Sequence, residues 1–208
     1  MTHNPAKHHR RSIRLKGYDY SSPGYYFITL CIHDRWIRMF GDVDNGKMVL
    51  NDCGIIANEW IGKLSGRFID AMVELYVIMP NHIHLILRIV PESICPVVAI
   101  HELPLQLPQR IDNKTYHKNR RVMTVPKIIG YYRMNTGKHI NTIRKTSGNP
   151  VWQRNYWEHI IRDENEHFRI RQYIVENPLN WDLDQLNGGG GNRVLEPAIP
   201  YGEELWKI

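Results

Sequence analysis

Two imidazoles stand one residue apart in VELYVIMPNHIHLILRIV, the stretch from Val73 to Val90, as His82-Ile83-His84. Side chains on an extended strand alternate between faces, so His82 and His84 point the same way, about 7 Å apart at Cα, while Ile83 and Leu85 point the other way. Two imidazoles on one face can share a divalent cation, given one or two further ligands from elsewhere in the chain. A pair of this spacing also occurs as ordinary core histidines, and the pattern alone leaves both uses open. A second constellation lies far downstream in YIVENP, where Tyr173 and Asn177 are four residues apart. On a helix that spacing puts both on one face with Cβ atoms about 6 Å apart. A phenol and a neutral amide carbonyl are then presented together. The plain alternative is a half-buried ring at Tyr173 and a helix C-cap at Asn177.

These groups need rigid carriers. The run around the histidines is rich in Val, Ile and Leu, as in a buried central strand, and Pro80-Asn81 is a turn signal. VELYVIM and HIHLILRIV therefore read as a hairpin, with the histidines at the start of its second strand. In DENEHFRIRQYIVENP, Asp163 followed by Glu166 makes a capping box, and Pro178 closes the helix by pushing its predecessor out of helical geometry. The spacing predicts a helix over 164–176. Glu166 lies on about the face of Tyr173 and is either a capping residue or a base. His159, in WEHII, is either a structural histidine, a DNA contact or a support for the site.

The remaining elements follow from the same signals. Gly24 to Ile32 is β-branched and aromatic, hence a strand, and Trp36 to Phe40 is expected to continue as a second short one. Gly41 to Gly46 reads as a turn and Met48 to Leu50 as another short strand. Asn51 or Asp52 caps a helix running to about Leu64, with Ile55, Ile56, Trp60, Ile61 and Leu64 on one face. Val125 to Arg144 is an amphipathic helix with Pro126 near its first turn. Val151 to Ile161 is a strand or extended segment. The organisation expected is a basic arm over 1–23, a folded domain over 24–186 with an excursion at 91–121, and a glycine-rich linker and tail over 187–208.

Composition sets bounds. The 208 residues suit one core, and 42% hydrophobic residues suit a globular protein. No apolar run is long enough to span a bilayer, and the basic, polar start does not resemble a signal peptide, so a cytoplasmic location and no membrane partner are expected. Cys31, Cys53 and Cys95 are odd in number and without metal spacing, and read as reduced thiols. The 27 Lys and Arg against 21 Asp and Glu give a charge of +6, and its placement is uneven. Arg10, Arg11, Arg14 and Lys16 cluster at the start, and further basic residues mix with Tyr116, Tyr131, Tyr132 and His139. Cations among rings suit phosphate contact with base stacking, or a solvated helix face. The four arm residues are the candidate phosphate contacts, gripping without reading sequence.

MPNHIHLIL followed downstream by YIVENP, with the entry GYYFITLCIHDR, the run WQRNYWEHIIRDE and the ending NPLNW, resembles the single-tyrosine transposases of the HUH endonuclease class, and among them the REP-associated tyrosine transposase branch. The resemblance covers roughly Arg11 to Asp184. It implies an α+β, ferredoxin-like antiparallel sheet with helices packed on it, usually as a homodimer acting on single-stranded DNA with nearby hairpins. It implies further that His82 and His84 bind the metal, that Tyr173 is the nucleophile, and that Asn177 supplies the third ligand. Asn is shorter than the Gln common in the insertion-sequence members. Mg²⁺ or Mn²⁺ is the ion implied, although histidine ligands also suit zinc. A tyrosine nucleophile conserves the ester as a 5′-phosphotyrosine link that a later 3′-hydroxyl can reverse. The competing reading is a non-catalytic nucleic-acid-binding module on the same fold, with structural histidines. A two-histidine phosphoesterase wants two His-x-Thr/Ser motifs, and the chain has none.

Overall fold

The computed structural model describes residues 15, 17–91 and 122–187. Four strands form one sheet: β1 (Gly24–Cys31), β4 (Ala71–Ile78), β5 (His82–Ile89) and β6 (Trp157–Ile161). Their order across the sheet is β4-β5-β1-β6, with every neighbouring pair antiparallel. Helix α1 (Asp52–Arg67) connects β1 to β4, and α2 (Thr124–Arg144) connects β5 to β6. This β-α-β-β-α-β path with the first and third strands central is the ferredoxin-like, α+β arrangement. A third helix, α3 (Glu164–Glu176), follows β6, and a short 3₁₀ turn spans Trp181–Leu183.

The alternation of β-strands sorts the side chains into two layers. On one face Tyr26, Ile28, Leu30, Ile83, Leu85 and Leu87 meet α1 and α2 in the main core. On the other, Phe27, Ile86, Trp157 and Ile161 meet Ile170 and Ile174 of α3 in a smaller cluster. His82 and His84 fall in the same alternating row as Ile86, so they lie under α3 and not in the main core. The pairing of β1 with β5 sets Thr29 opposite His84 and Cys31 opposite His82. Ahead of β1, Tyr18 and Tyr20 are buried against Tyr26.

Several expectations about local structure are corrected. Trp36 to Phe40 is not a strand. Trp36 and Ile37 are 73% and 40% exposed, so no layer receives them. The strand begins later, as β2 (Gly41–Asp44), which pairs with β3 (Lys47–Leu50) across Asn45-Gly46. Both turn residues have positive φ, 48° and 71°, the backbone of the two-residue turn that Asn-Gly favours. A side chain at position 46 would also strike Leu179. On α1, Ile55 faces outward, and Cys53, Ala57, Trp60, Ile61 and Leu64 form the buried stripe. Asn177 keeps right-handed helical angles, φ −55° and ψ −42°, despite preceding Pro178. The chain goes on turning through Asn180, whose N–H bonds the carbonyls of Glu176 and Asn177. Asn177 thus stays on the face of α3 that carries Tyr173.

Candidate metal centre and tyrosine

The β4–β5 turn fixes His82 chemically as well as spatially. Asn81 donates from Nδ2 to the carbonyls of Arg35 and Leu186, both at 2.7 Å, so its Oδ1 must face His82 Nδ1, at 2.8 Å. An oxygen there accepts a proton, which puts the hydrogen on Nδ1 and the lone pair on Nε2. His84 is held by Thr29 of the neighbouring strand, with Nδ1 and Oγ1 2.8 Å apart. Phe27 stacks on its ring at a centroid distance of 5.3 Å. Both histidines are fully buried. Burial pushes the pKa of His82 down to about 4 against the opposing pull of the Asp184 charge. Burial and the neighbouring His82 push His84 well below its ordinary value. Neutral imidazoles with Nε2 lone pairs are the form that ligates metals.

Helix α3 brings the other groups. Its N-terminus is fixed by Asp163, whose Oδ1 accepts from Glu166 N–H at 2.8 Å. The Glu166 carboxylate accepts from Arg162 N–H and meets His159 Nε2, each at 2.6 Å. Glu166 and His159 therefore anchor the helix to its leading edge, and the capping reading of Glu166 holds. Two turns on, the Tyr173 hydroxyl lies 3.2 Å from His84 Nε2. Burial and the Asp184 charge raise the phenol pKa, and Asn177 partly offsets them. The hydroxyl therefore keeps its proton and donates it to His84. Asn177 is buried, and its Oδ1 makes no hydrogen bond of standard geometry among the described residues.

One group escaped the sequence reading. Asp184, just after the 3₁₀ turn, brings Oδ2 to 3.6 Å from His82 Nε2, and its side chain is 5% exposed. Trp181 packs on His82 from the same segment at a centroid distance of 6.1 Å. The residue has no periodic relation to α3, because the chain leaves the helix at Pro178, so no spacing rule marks it. Arg10, Arg11, Arg14 and Lys16 lie outside the described residues.

The donor set fits a cation. His82 Nε2, Asn177 Oδ1 and Asp184 Oδ2 are buried acceptor atoms without a hydrogen-bond partner among the described residues. Each such orphan costs about 1–3 kcal/mol unless something satisfies it. One ligand atom from each of His82, His84 and Asp184 lies within 4.8 Å of the others. Donors about 2.1 Å from a shared ion stand at most about 4.2 Å apart, so a contraction of roughly half an ångström closes the group. Beside Tyr173, a cavity of about 310 Å³ opens along α3, lined among others by Phe168, Gln172, Asn177 and Asn180. No helix among the described residues is long and apolar enough to cross a membrane.

No protein-family model matches the chain. An uncharacterized protein of Haemophilus influenzae is 38% identical over 190 residues, covering 88% of this chain and 96% of its own length. A second protein of that organism, described as a "Putative REP-associated tyrosine transposase", is 27% identical over 167 residues, covering 77% of this chain and 73% of its own. Among solved structures, a REP-associated tyrosine transposase bound to a REP hairpin aligns at a TM-score of 0.45 with 17% identity, over 84% of this chain and 73% of that one. A Deinococcus radiodurans R1 protein described as a "putative transposase" aligns at 0.40 with 12% identity, over 79% of this chain and 98% of that one. The chain belongs to one family with the uncharacterized H. influenzae protein, and it is similar to the H. influenzae protein described as a putative REP-associated tyrosine transposase.

Proposed function

We propose that the protein is a metal-dependent single-stranded DNA endonuclease and strand transferase that acts beside DNA hairpins through a 5′-phosphotyrosine intermediate. The observation that carries this reading is the Tyr173 hydroxyl resting 3.2 Å from His84 Nε2, beside His82 Nε2, Asn177 Oδ1 and Asp184 Oδ2, which are buried and without a hydrogen-bond partner among the described residues. Tyr173 attacks the scissile phosphorus, a new P–O bond forms to the phenol, and the bond to the 3′-oxygen breaks. The phenol gives up its proton and the departing 3′-hydroxyl takes one, so the step is neutral overall. A later 3′-hydroxyl reverses the attack and rejoins a strand.

A phenol with a raised pKa is a poor nucleophile at neutral pH, so the phosphate needs electrostatic activation. His82 and His84 with Asn177 would hold a divalent cation, Mg²⁺ or Mn²⁺, whose positive charge would polarise the phosphate and favour in-line attack. Asn81 and Thr29 keep the imidazoles oriented while this happens. Phe27 and Trp181 form dry walls around them. The cavity along α3 gives a strand access to Tyr173. Arg10, Arg11, Arg14 and Lys16 grip the phosphates, and the protein works as a homodimer in the cytoplasm.

The test is a labelled hairpin-bearing single strand incubated with Mn²⁺ or Mg²⁺ and run on a denaturing gel. The wild type should give a protein–DNA adduct that chelator prevents. Tyr173→Phe should give none, and an adduct from that variant rejects the assignment. His82→Ala should abolish cleavage while leaving hairpin binding within a few-fold; equal loss of both points to a folding defect instead.

A further inference from the structure

We propose that Asp184 is a direct ligand of the cation, so that the ion fastens the segment after α3 onto the sheet. The inference rests on the reading of this site as a cation centre and names the side chain that completes it. It goes beyond the two-histidine-plus-amide set that the sequence resemblance implies.

Three features of Asp184 carry it. Its side chain is buried, and its two oxygens are used unequally: Oδ1 accepts from Leu186 N–H at 2.7 Å, while Oδ2 accepts no hydrogen bond among the described residues. That idle oxygen faces His82 Nε2 at 3.6 Å, a nitrogen that makes no hydrogen bond of standard geometry among the described residues. Two lone pairs turned toward one another in a dry site repel, and a shared cation reverses the sign of that interaction. Finally, the segment around Asp184 is docked at both ends. Trp181 packs on His82 on one side, and on the other Leu186 is buried with its carbonyl accepting from Asn81. The same Asn81 therefore orients one ligand through its oxygen and holds the carrier of another through its nitrogen. A carboxylate added to neutral imidazoles and an amide also gives the site a formal negative charge, which favours a hard dication.

Asp184→Asn separates ligation from local structure, because the amide oxygen can still cap Leu186 N–H. Its NH₂ group replaces Oδ2 beside His82 Nε2 and can donate to it. In chelator the variant should melt at or above the wild-type temperature. With Mn²⁺ alone, measured by calorimetric titration, it should bind at least about tenfold more weakly than wild type, and the Mn²⁺-induced rise in melting temperature should shrink accordingly. Asp182→Asn, which removes the same charge from the exposed residue two positions earlier, should bind Mn²⁺ within about twofold of wild type because solvent screens it. Asp184→Asn binding within twofold of wild type overturns the proposal, as does an equal loss in Asp182→Asn. A wild type that binds Mn²⁺ through Asp184 yet forms no DNA adduct supports this assignment while rejecting the catalytic reading.

Discussion

Asn81 reads in the sequence as half of a Pro-Asn turn signal, and the fold gives it a further task. Its side chain joins the Arg35 carbonyl, the Leu186 carbonyl and His82 Nδ1. Asn81→Ala removes three hydrogen bonds and leaves two carbonyls facing a void. At about 1 kcal/mol for each lost bond, the expected destabilisation is roughly 2–4 kcal/mol, read from urea unfolding. The variant also frees the His82 tautomer, so Mn²⁺ affinity should fall about 10- to 100-fold, the usual effect of losing the group that orients a ligating histidine. Unchanged affinity would mean that Asn81 only shapes the turn. Residues whose geometry is set within one element were legible from the chain alone: period 2 aligned His82 with His84, and a helical turn aligned Tyr173 with Asn177. Asp184 was not, because its position depends on where an irregular segment returns, and Asn81 was not, because turn chemistry accounted for it already.

Helix α3 is fixed most firmly at its N-terminus. Asp163 caps it, and the Glu166 carboxylate ties it to Arg162 and His159, while its apolar stripe of Ile170 and Ile174 sits on the sheet. His159 is steadied in turn by stacking on Trp157, ring centroids 5.7 Å apart. Glu166→Ala should cost about 2 kcal/mol of stability, one capping bond and one bond to His159, measured by chemical denaturation. Adduct yield per folded molecule should stay within a few-fold of wild type, because both carboxylate oxygens are occupied away from Tyr173. A collapse of yield with stability retained would restore Glu166 as a candidate base. The start of α3 and its length followed from the capping box and from Pro178. The helical angles of Asn177 did not, since a residue before proline prefers extended backbone, and the continued turn through Asn180 holds it helical here. Met48 to Leu50 was expected as a strand and is one, as part of β3, but its partner was misplaced. Trp36 and Ile37 suggested a strand by residue type, whereas the Asn45-Gly46 turn, a stronger signal, set the pairing one step later.

Across the described residues, the sheet carries a large apolar layer on one face and, on the other, a thinner layer that shelters the polar site. Burying two neutral histidines there makes the stability of the metal-free protein acid-sensitive. On unfolding, both imidazoles return to water, where they titrate near 6.5. Inside the fold, burial holds His82 at about 4 and His84 well below its ordinary value. Between those limits the unfolded chain takes up protons that the folded chain refuses, so acid favours unfolding. Their contribution is whole above about pH 6.5 and declines as pH falls, at about 1.4 kcal/mol per pH unit for each histidine. Glu74 acts in the same direction but lower. Burial raises its pKa, and the hydrogen bond and charge of His167 with the charge of Arg171 outweigh that and lower it. Its stabilisation is present above its ordinary value of 4.5 and is lost only as pH falls further. The window from about pH 6.5 down to 4.5 therefore belongs to the histidines. Melting temperature in chelator should drop steadily across it, and His82→Gln, which has no imidazole to charge, should show a slope reduced by about half. A wild-type melting temperature that stays flat from pH 7 to 5 would mean that the imidazoles are hydrated or already protonated in the fold. Imidazoles already protonated there would have no lone pair to offer a cation.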